Sequence, residues 1–113
     1  MNRHVSPTDL GNLKIDLHGA FIRRTSLRGA NLNSANLEGA DCRGADFTNA
    51  SLTGANLKGT NLSSANLTGV DFRDAILTGA DLRGADLTDA KNLTAAQLAE
   101  ALIDASLVPK EKS

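Results

Sequence analysis

The sequence has no tryptophan or tyrosine, only three phenylalanines, two prolines and a single cysteine in 113 residues. Without tryptophan or tyrosine it lacks the usual platforms for stacking single-stranded bases and the commonest hot-spot side chains of large interfaces. The lone Cys42 excludes an internal disulfide, which fits a reducing compartment. Charge of one sign is also missing: twelve Lys and Arg stand against thirteen Asp and Glu, for a formal net charge of -1. No overall field draws such a chain onto nucleic acid or an anionic membrane, so direct nucleic-acid binding is not expected. No run of apolar residues is long enough to span a bilayer, and Met1 to Pro7 contain no apolar signal-peptide core. These features lead to the expectation of a cytoplasmic protein that stays off membranes.

Chemistry-bearing residues are equally sparse. His4, His18 and Cys42 have no metal-ligand spacing, and neither a nucleophile elbow nor a phosphate loop is present. The nonapeptide calcium repeat is absent as well. No enzyme, cofactor or metal site is therefore expected.

What the chain does contain is one short phrase said again and again. Residues 15–89 divide into fifteen consecutive pentads without an insertion, from Ile15-Asp16-Leu17-His18-Gly19 to Ala85-Asp86-Leu87-Thr88-Asp89. The first place is Ala in eleven, the second Asp or Asn in eleven, the third Leu in eleven and the fifth Gly in nine. At about 100° per residue, a five-residue repeat on an α-helix would send the leucines spiralling around the rod. On an extended strand, an odd spacing would throw them onto alternate faces. The period suits only a chain that turns a corner in every pentad and brings each third-place residue back to a common axis. Ala is small enough to sit beside it inside, and Gly, Asn, Asp and Ser suit the corner. The expected core is Leu17, Leu27, Leu37, Phe47, Leu57, Leu67, Phe72, Leu77 and Leu87. Asn31, Asn36, Asn56, Asn61 and Asn66 are read as turn stabilisers.

Pentads such as Ala30-Asn31-Leu32-Asn33-Ser34 and Ala80-Asp81-Leu82-Arg83-Gly84 resemble the pentapeptide repeat family, with consensus A(D/N)LXX, over about two thirds of the chain. The resemblance implies an all-β fold: a right-handed quadrilateral parallel β-helix, or solenoid, with four pentads to a coil, first and third places inward, and a short C-terminal capping α-helix. Fifteen pentads would then make a squared rod of about 3.75 coils. Three segments are expected: an N-terminal cap over 1–14, the repeats over 15–89, and a capping helix with a charged tail over 90–113. Thr94 reads as a helix N-cap with Gln97 completing a capping box and Leu93 and Leu98 forming a staple. Leu98, Ala101, Leu102 and Ala105 would share one helical face. At the other end, Ser6-Pro7-Thr8-Asp9 can start a turn that lays Leu10 and Leu13 over the first coil and covers Phe21.

With four faces implied, residues twenty apart form columns. One face carries Arg23, Arg43, Ser63 and Arg83 beside Phe21, Asp41, Asn61 and Asp81, a basic surface that the neighbouring aspartates can neutralise. The next carries Asp46, Asn66, Asp86 and Asp89 with Arg28, and a single file of Thr48, Thr68 and Thr88. Ile76 stands outward where Asp or Asn is usual. Ile76, Arg23, Arg43 and Arg83 are the candidate partner contacts. The expected role is a rigid, non-catalytic protein-binding or scaffold module. Some members of the family mimic DNA, bind gyrase and protect it from quinolones. That alternative asks for more negative charge than this chain has, and an ice-binding surface asks for paired threonine columns. The chain is expected to be a monomer, or a homodimer joined end to end or side by side.

Overall fold

A computed structural model describes residues 14–105. The expected N-terminal cap residues 1–13, with Leu10 and Leu13, and the tail from 106 lie outside the described residues.

The path of the chain follows from where five successive backbone N–H groups find acceptors. The second-place N–H donates to the preceding circuit, as Asn36 does to the Ile15 carbonyl at 2.8 Å. Third- and fifth-place groups donate to the following circuit, as Leu37 does to Asn56 at 2.8 Å and Gly39 to Lys58 at 3.0 Å. The first-place N–H closes the corner, Ala40 donating to the Leu37 carbonyl at 2.9 Å. That leaves the fourth, which a corner would orphan. In all eleven pentads with Asp or Asn at the second place, its Oδ1 accepts this N–H at 3.0 to 3.3 Å. The preference for Asp and Asn is thus a backbone requirement, an Asx turn repeated at every corner that has one.

All fifteen fifth-place residues, glycine or not, have φ between 54° and 73°. This left-handed residue bends the chain back, and glycine adopts it without a steric penalty. Pairing joins residues twenty apart in parallel: Asp16 with Asn36, Phe21 with Asp41, Ser26 with Asp46, Asn31 with Ser51, and onward through the chain. One circuit therefore takes four pentads.

These findings correct the expected fold class. Among the described residues there is no β-strand and no sheet, so the all-β, right-handed β-helix solenoid is overturned. The pairs are isolated single-residue bridges, and the only helix among the described residues is α1, Ala95–Ala99. The reason is the fifth residue: a positive φ every five positions interrupts the extended backbone before a strand can lengthen. The radius of gyration, 14.9 Å, lies near the roughly 13 Å of a compact 100-residue domain.

The interior is dry and closely filled. Leu37, Phe47, Leu57, Leu67 and Phe72 are fully buried, Leu77 nearly so, and first-place alanines fill the spaces beside them. Leu17 and Leu27 in the first circuit and Leu87 in the last are only partly buried against this core, because each has a neighbouring circuit on one side. Thr60 replaces a first-place alanine and its buried hydroxyl donates to the Leu37 carbonyl at 2.6 Å. Among the described residues no buried side-chain polar atom is left unpaired.

At the C-terminal end, Thr94 caps α1 and forms the capping box with Gln97. The helix stops at Ala99, so the expected helical face running to Leu102 and Ala105 is corrected. Glu100 caps it, and the chain returns to pair with the circuit below: Gly79 donates to the Glu100 carbonyl, Leu82 to the Leu102 carbonyl, and Leu102 to Ala80. Unpaired donors on the last circuit take up the chain more favourably than further helix would. Leu93, Leu98, Ala101 and Ile103 pack against the core, while Leu102 stays exposed.

Candidate functional site

Arg23, Arg43 and Arg83 lie on the face that carries Phe21, Asp41, Asn61, Asp81 and, by its bridge to Asp81, Leu102. Asp41 is the hub. Arg43 grips it with two bonds, Nε to Oδ1 at 3.0 Å and Nη2 to Oδ2 at 2.9 Å, and Arg23 Nε reaches Oδ2 from the circuit before at 2.6 Å. Arg83 forks onto Asp81 in the same way, at 3.0 and 2.8 Å. Forked guanidinium–carboxylate geometry fixes these side chains although their outer edges remain in water. The structure therefore brings Arg23 and Arg43 together and leaves Arg83 on a separate aspartate. Ile76 is on another wall, 49% exposed and bridged to Asn56. Phe21 is 87% exposed; the segment expected to cover it lies outside the described residues.

Sequence reasoning passed over Arg24, whose fifth-place position looked like an ordinary corner. With φ 54° it joins Arg23, Arg43, Gly44, Ser63 and Ser64 around a cavity of about 260 Å³. The signal was present as the one long cationic side chain at a place otherwise held by Gly, Ser, Asn or Asp. A second cavity, of about 460 Å³, opens between Arg73, Asp74 and Ala75 and the Asn92, Thr94 and Gln97 side of the cap. There the Gln97 amide already donates to the Phe72 and Ala75 carbonyls.

The threonine file is tied inward. Thr48, Thr68 and Thr88 hydroxyls donate to Asp46, Asn66 and Asp86 at 2.5, 2.6 and 2.6 Å. With their protons spent on their own turns, they form no free hydroxyl lattice.

These bonds also set acid sensitivity. The Thr48 hydroxyl, then its N–H, hold the Asp46 carboxyl below the usual range, with Arg28 adding less. Thr88 does the same to Asp86. The Asn92 amide, then the Arg73 N–H, lower Asp71, and the Arg83 guanidinium lowers Asp81. A carboxyl with a depressed folded-state pKa contributes stability that is complete above its unfolded value, about 4, and is lost as pH falls through the folded value. Melting temperature is therefore expected to hold near neutrality and fall below pH about 4. Asp46→Asn keeps the acceptor, as Asn66 does naturally, so it should shrink the acid loss while barely moving the neutral melting point. A steeper acid loss in that variant would refute the assignment.

Cys42 is buried, and its pKa is pushed up to about 12, first by desolvation and then by the Asp41 charge. It stays a neutral thiol with little nucleophilic character. His18 caps no site; its N–H donates to Asp16. His4 lies outside the described residues. Among the described residues no group of three or more His, Cys, Asp or Glu could hold a metal ion, and no helix is long and apolar enough to cross a membrane.

The family model for pentapeptide repeats matches residues 15–41, 25–63 and 65–104, in eight copies. Among solved structures, the chain is similar to a pentapeptide repeat protein of the Arabidopsis thaliana thylakoid lumen. The two share 32% identity over 69% of this chain and 56% of that one, with a TM-score of 0.65. It is also similar to the pentapeptide repeat protein Rfr23 of the cyanobacterium Cyanothece 51142, at 32% identity over 88% of this chain and 68% of that one, TM-score 0.44. A pentapeptide repeat protein of Nostoc Pcc 7120 shares 31% identity over 80% of this chain and 86% of its own, TM-score 0.40. The chain thus spans little more than half the length of the Arabidopsis protein. No curated protein matches the sequence. The lumenal relative corrects the cytoplasmic expectation: balanced charge and a single cysteine are compatible with other compartments and do not select the cytoplasm.

Proposed function

Because the chain belongs to the pentapeptide-repeat family, as a non-catalytic, protein-interacting module, we propose that it is a rigid scaffold holding a protein partner against its outer wall. Ile76 is the apolar contact on one wall, and Arg23, Arg43 and Arg83 are polar contacts on another.

The observation that carries this reading is the price of Ile76 to the free chain. At this place Asp or Asn stands in eleven of the fifteen pentads and bonds the N–H two residues later. Isoleucine gives up that bond for Thr78 and leaves apolar surface 49% exposed. Contact with a partner offsets both losses. The hydrogen-bonded circuits beneath supply rigidity, so little ordering entropy opposes binding.

Ile76→Asp tests this cleanly because the substitution restores the common residue. It is expected to raise stability by about 0.5 to 1.5 kcal/mol through the regained turn bond, measured by urea unfolding. It should also remove a partner captured from extracts of the native cells. A prey set unchanged by the variant would sink the Ile76 contact.

A DNA-mimicking topoisomerase inhibitor asks for dense negative charge. Here the formal net charge is -1, and Arg23, Arg28, Arg43 and Arg83 cover three outward aspartates. Gyrase supercoiling is expected to be indifferent to micromolar protein; inhibition or drug protection would favour mimicry instead.

A further inference from the structure

The groove beside Asp41 combines two features that have no structural use together. Three arginines, Arg23, Arg24 and Arg43, line it with Gly44, Ser63 and Ser64. One carboxylate, Asp41, answers two of them. Three positive charges against one negative leave the groove with two in excess, in a chain whose formal net charge is -1. Among the described residues Arg24 has no carboxylate within ion-pair distance.

Arg24 also holds a backbone conformation that is costly for its side chain. Its φ is 54°, the corner conformation shared by every fifth place, which glycine adopts without penalty and a long L side chain does not. Gly44 directly follows it in the column, and a β-carbon there would stand 3.3 Å from Arg24 Cγ. The glycine leaves room for the arginine stem to lie across the next circuit toward Ser63 and Ser64. Glycine at residue 24 would satisfy the corner better, so the fold itself gives no reason for arginine.

We propose that the groove formed by Arg23, Arg24, Arg43, Ser63 and Ser64 is a binding site for a single phosphoryl group carried on a polypeptide partner. The polypeptide part rests on the protein-docking reading above; the phosphoryl pocket does not. A phosphoryl monoester carries about -1.5 to -2 charge and three acceptor oxygens, which matches an excess of two and a set of donor residues drawn from three circuits. A carboxylate has half that charge and fewer oxygens. Asp41 orients Arg23 and Arg43 from behind, as a second layer of hydrogen bonds does in built anion sites, so that their remaining N–H groups face the groove. A nucleic-acid strand needs a track of positive charge, whereas farther along this face Arg83 is balanced one to one by Asp81 and the Asp104 carboxylate accepts the Gly84 N–H.

The test is amide NMR of the whole chain titrated with inorganic phosphate, then with a phosphoserine peptide, its unphosphorylated form and a short single-stranded oligonucleotide. Phosphate is expected to produce saturable shifts at Arg24, Gly44, Ser63 and Ser64. Arg24→Gly should weaken it about tenfold or more while raising the melting temperature, because the corner regains its preferred residue. Arg73→Gln, on the wall of Asp71 and away from the groove, should leave phosphate binding unchanged. Absence of saturable shifts, or shifts that Arg24→Gly leaves intact, would overturn the pocket. If phosphate binds but the phosphopeptide gains nothing over it, or the oligonucleotide binds more tightly, the polypeptide partner is overturned and the pocket stands. Failure of the docking reading is registered separately, by the Ile76→Asp capture experiment.

Discussion

Phe47→Ala is expected to remove about 3 to 5 kcal/mol of stability, a large share of the roughly 5 to 15 kcal/mol that holds a domain of this size. Phe47 is fully buried, and its backbone bonds Asn66 in the circuit ahead and Ala50 across the corner. Every circuit touches only its neighbours, so a hole at Phe47 weakens packing toward both sides at once. The surrounding walls cannot collapse into it, because bridges on each wall hold the circuits at a fixed spacing. Phe47→Leu makes the informative companion. It installs the residue that stands at the third place in the pentads above and below, Leu27 and Leu67, and should cost less than about 1.5 kcal/mol. Urea unfolding followed by circular dichroism reads both, with the slope unchanged if only packing is affected. A loss below about 1 kcal/mol for Phe47→Ala would contradict a close-packed interior.

The second large effect belongs to the cap. Gln97 accepts the Thr94 N–H at 2.8 Å, and its amide nitrogen donates to the Phe72 and Ala75 carbonyls, both at 2.9 Å. One side chain therefore starts the helix and ties it to the corner of the last full circuit. Loss of the capping box costs about 1 kcal/mol, and each further bond about 0.5 to 1.5. Gln97→Ala should accordingly lose about 2 to 4 kcal/mol in thermal or urea unfolding. Gln97→Glu separates the two roles. Glutamate keeps the acceptor for Thr94 but turns the donors into a carboxylate facing two carbonyl oxygens. It should be nearly as damaging at neutral pH and recover part of the loss in mild acid, where protonation restores a donor. A Gln97→Glu protein as stable as the parent would mean that the bonds to Phe72 and Ala75 contribute nothing.

Gln97 also marks the boundary between what was legible and what was not. Its capping box is a local pattern, three residues from cap to partner, so it could be read directly from Thr94-Ala95-Ala96-Gln97. Its bonds to residues 22 and 25 positions earlier could not. Likewise the corner in every pentad, the inward leucines and the turn role of the asparagines depend on neighbours within five residues. The family resemblance placed Arg23, Arg43 and Arg83 in one column beside Asp41 and Asp81, but the five-residue period by itself did not. That Arg23 and Arg43 share Asp41, and that Arg24 joins them, needs the circuit length.

The sequence by itself determined that the chain turns every five residues around an apolar interior, because no helix or strand tolerates that period. Only the tertiary structure decided that circuits pair through isolated bridges instead of strands, because the left-handed fifth residue ends each extended segment after one contact. Tertiary structure also decided that helix α1 stops at Ala99, since the last circuit's open backbone donors compete for the chain that follows. It alone set Arg24 over Gly44 beside Arg43, twenty residues away, where three positive side chains meet a single aspartate.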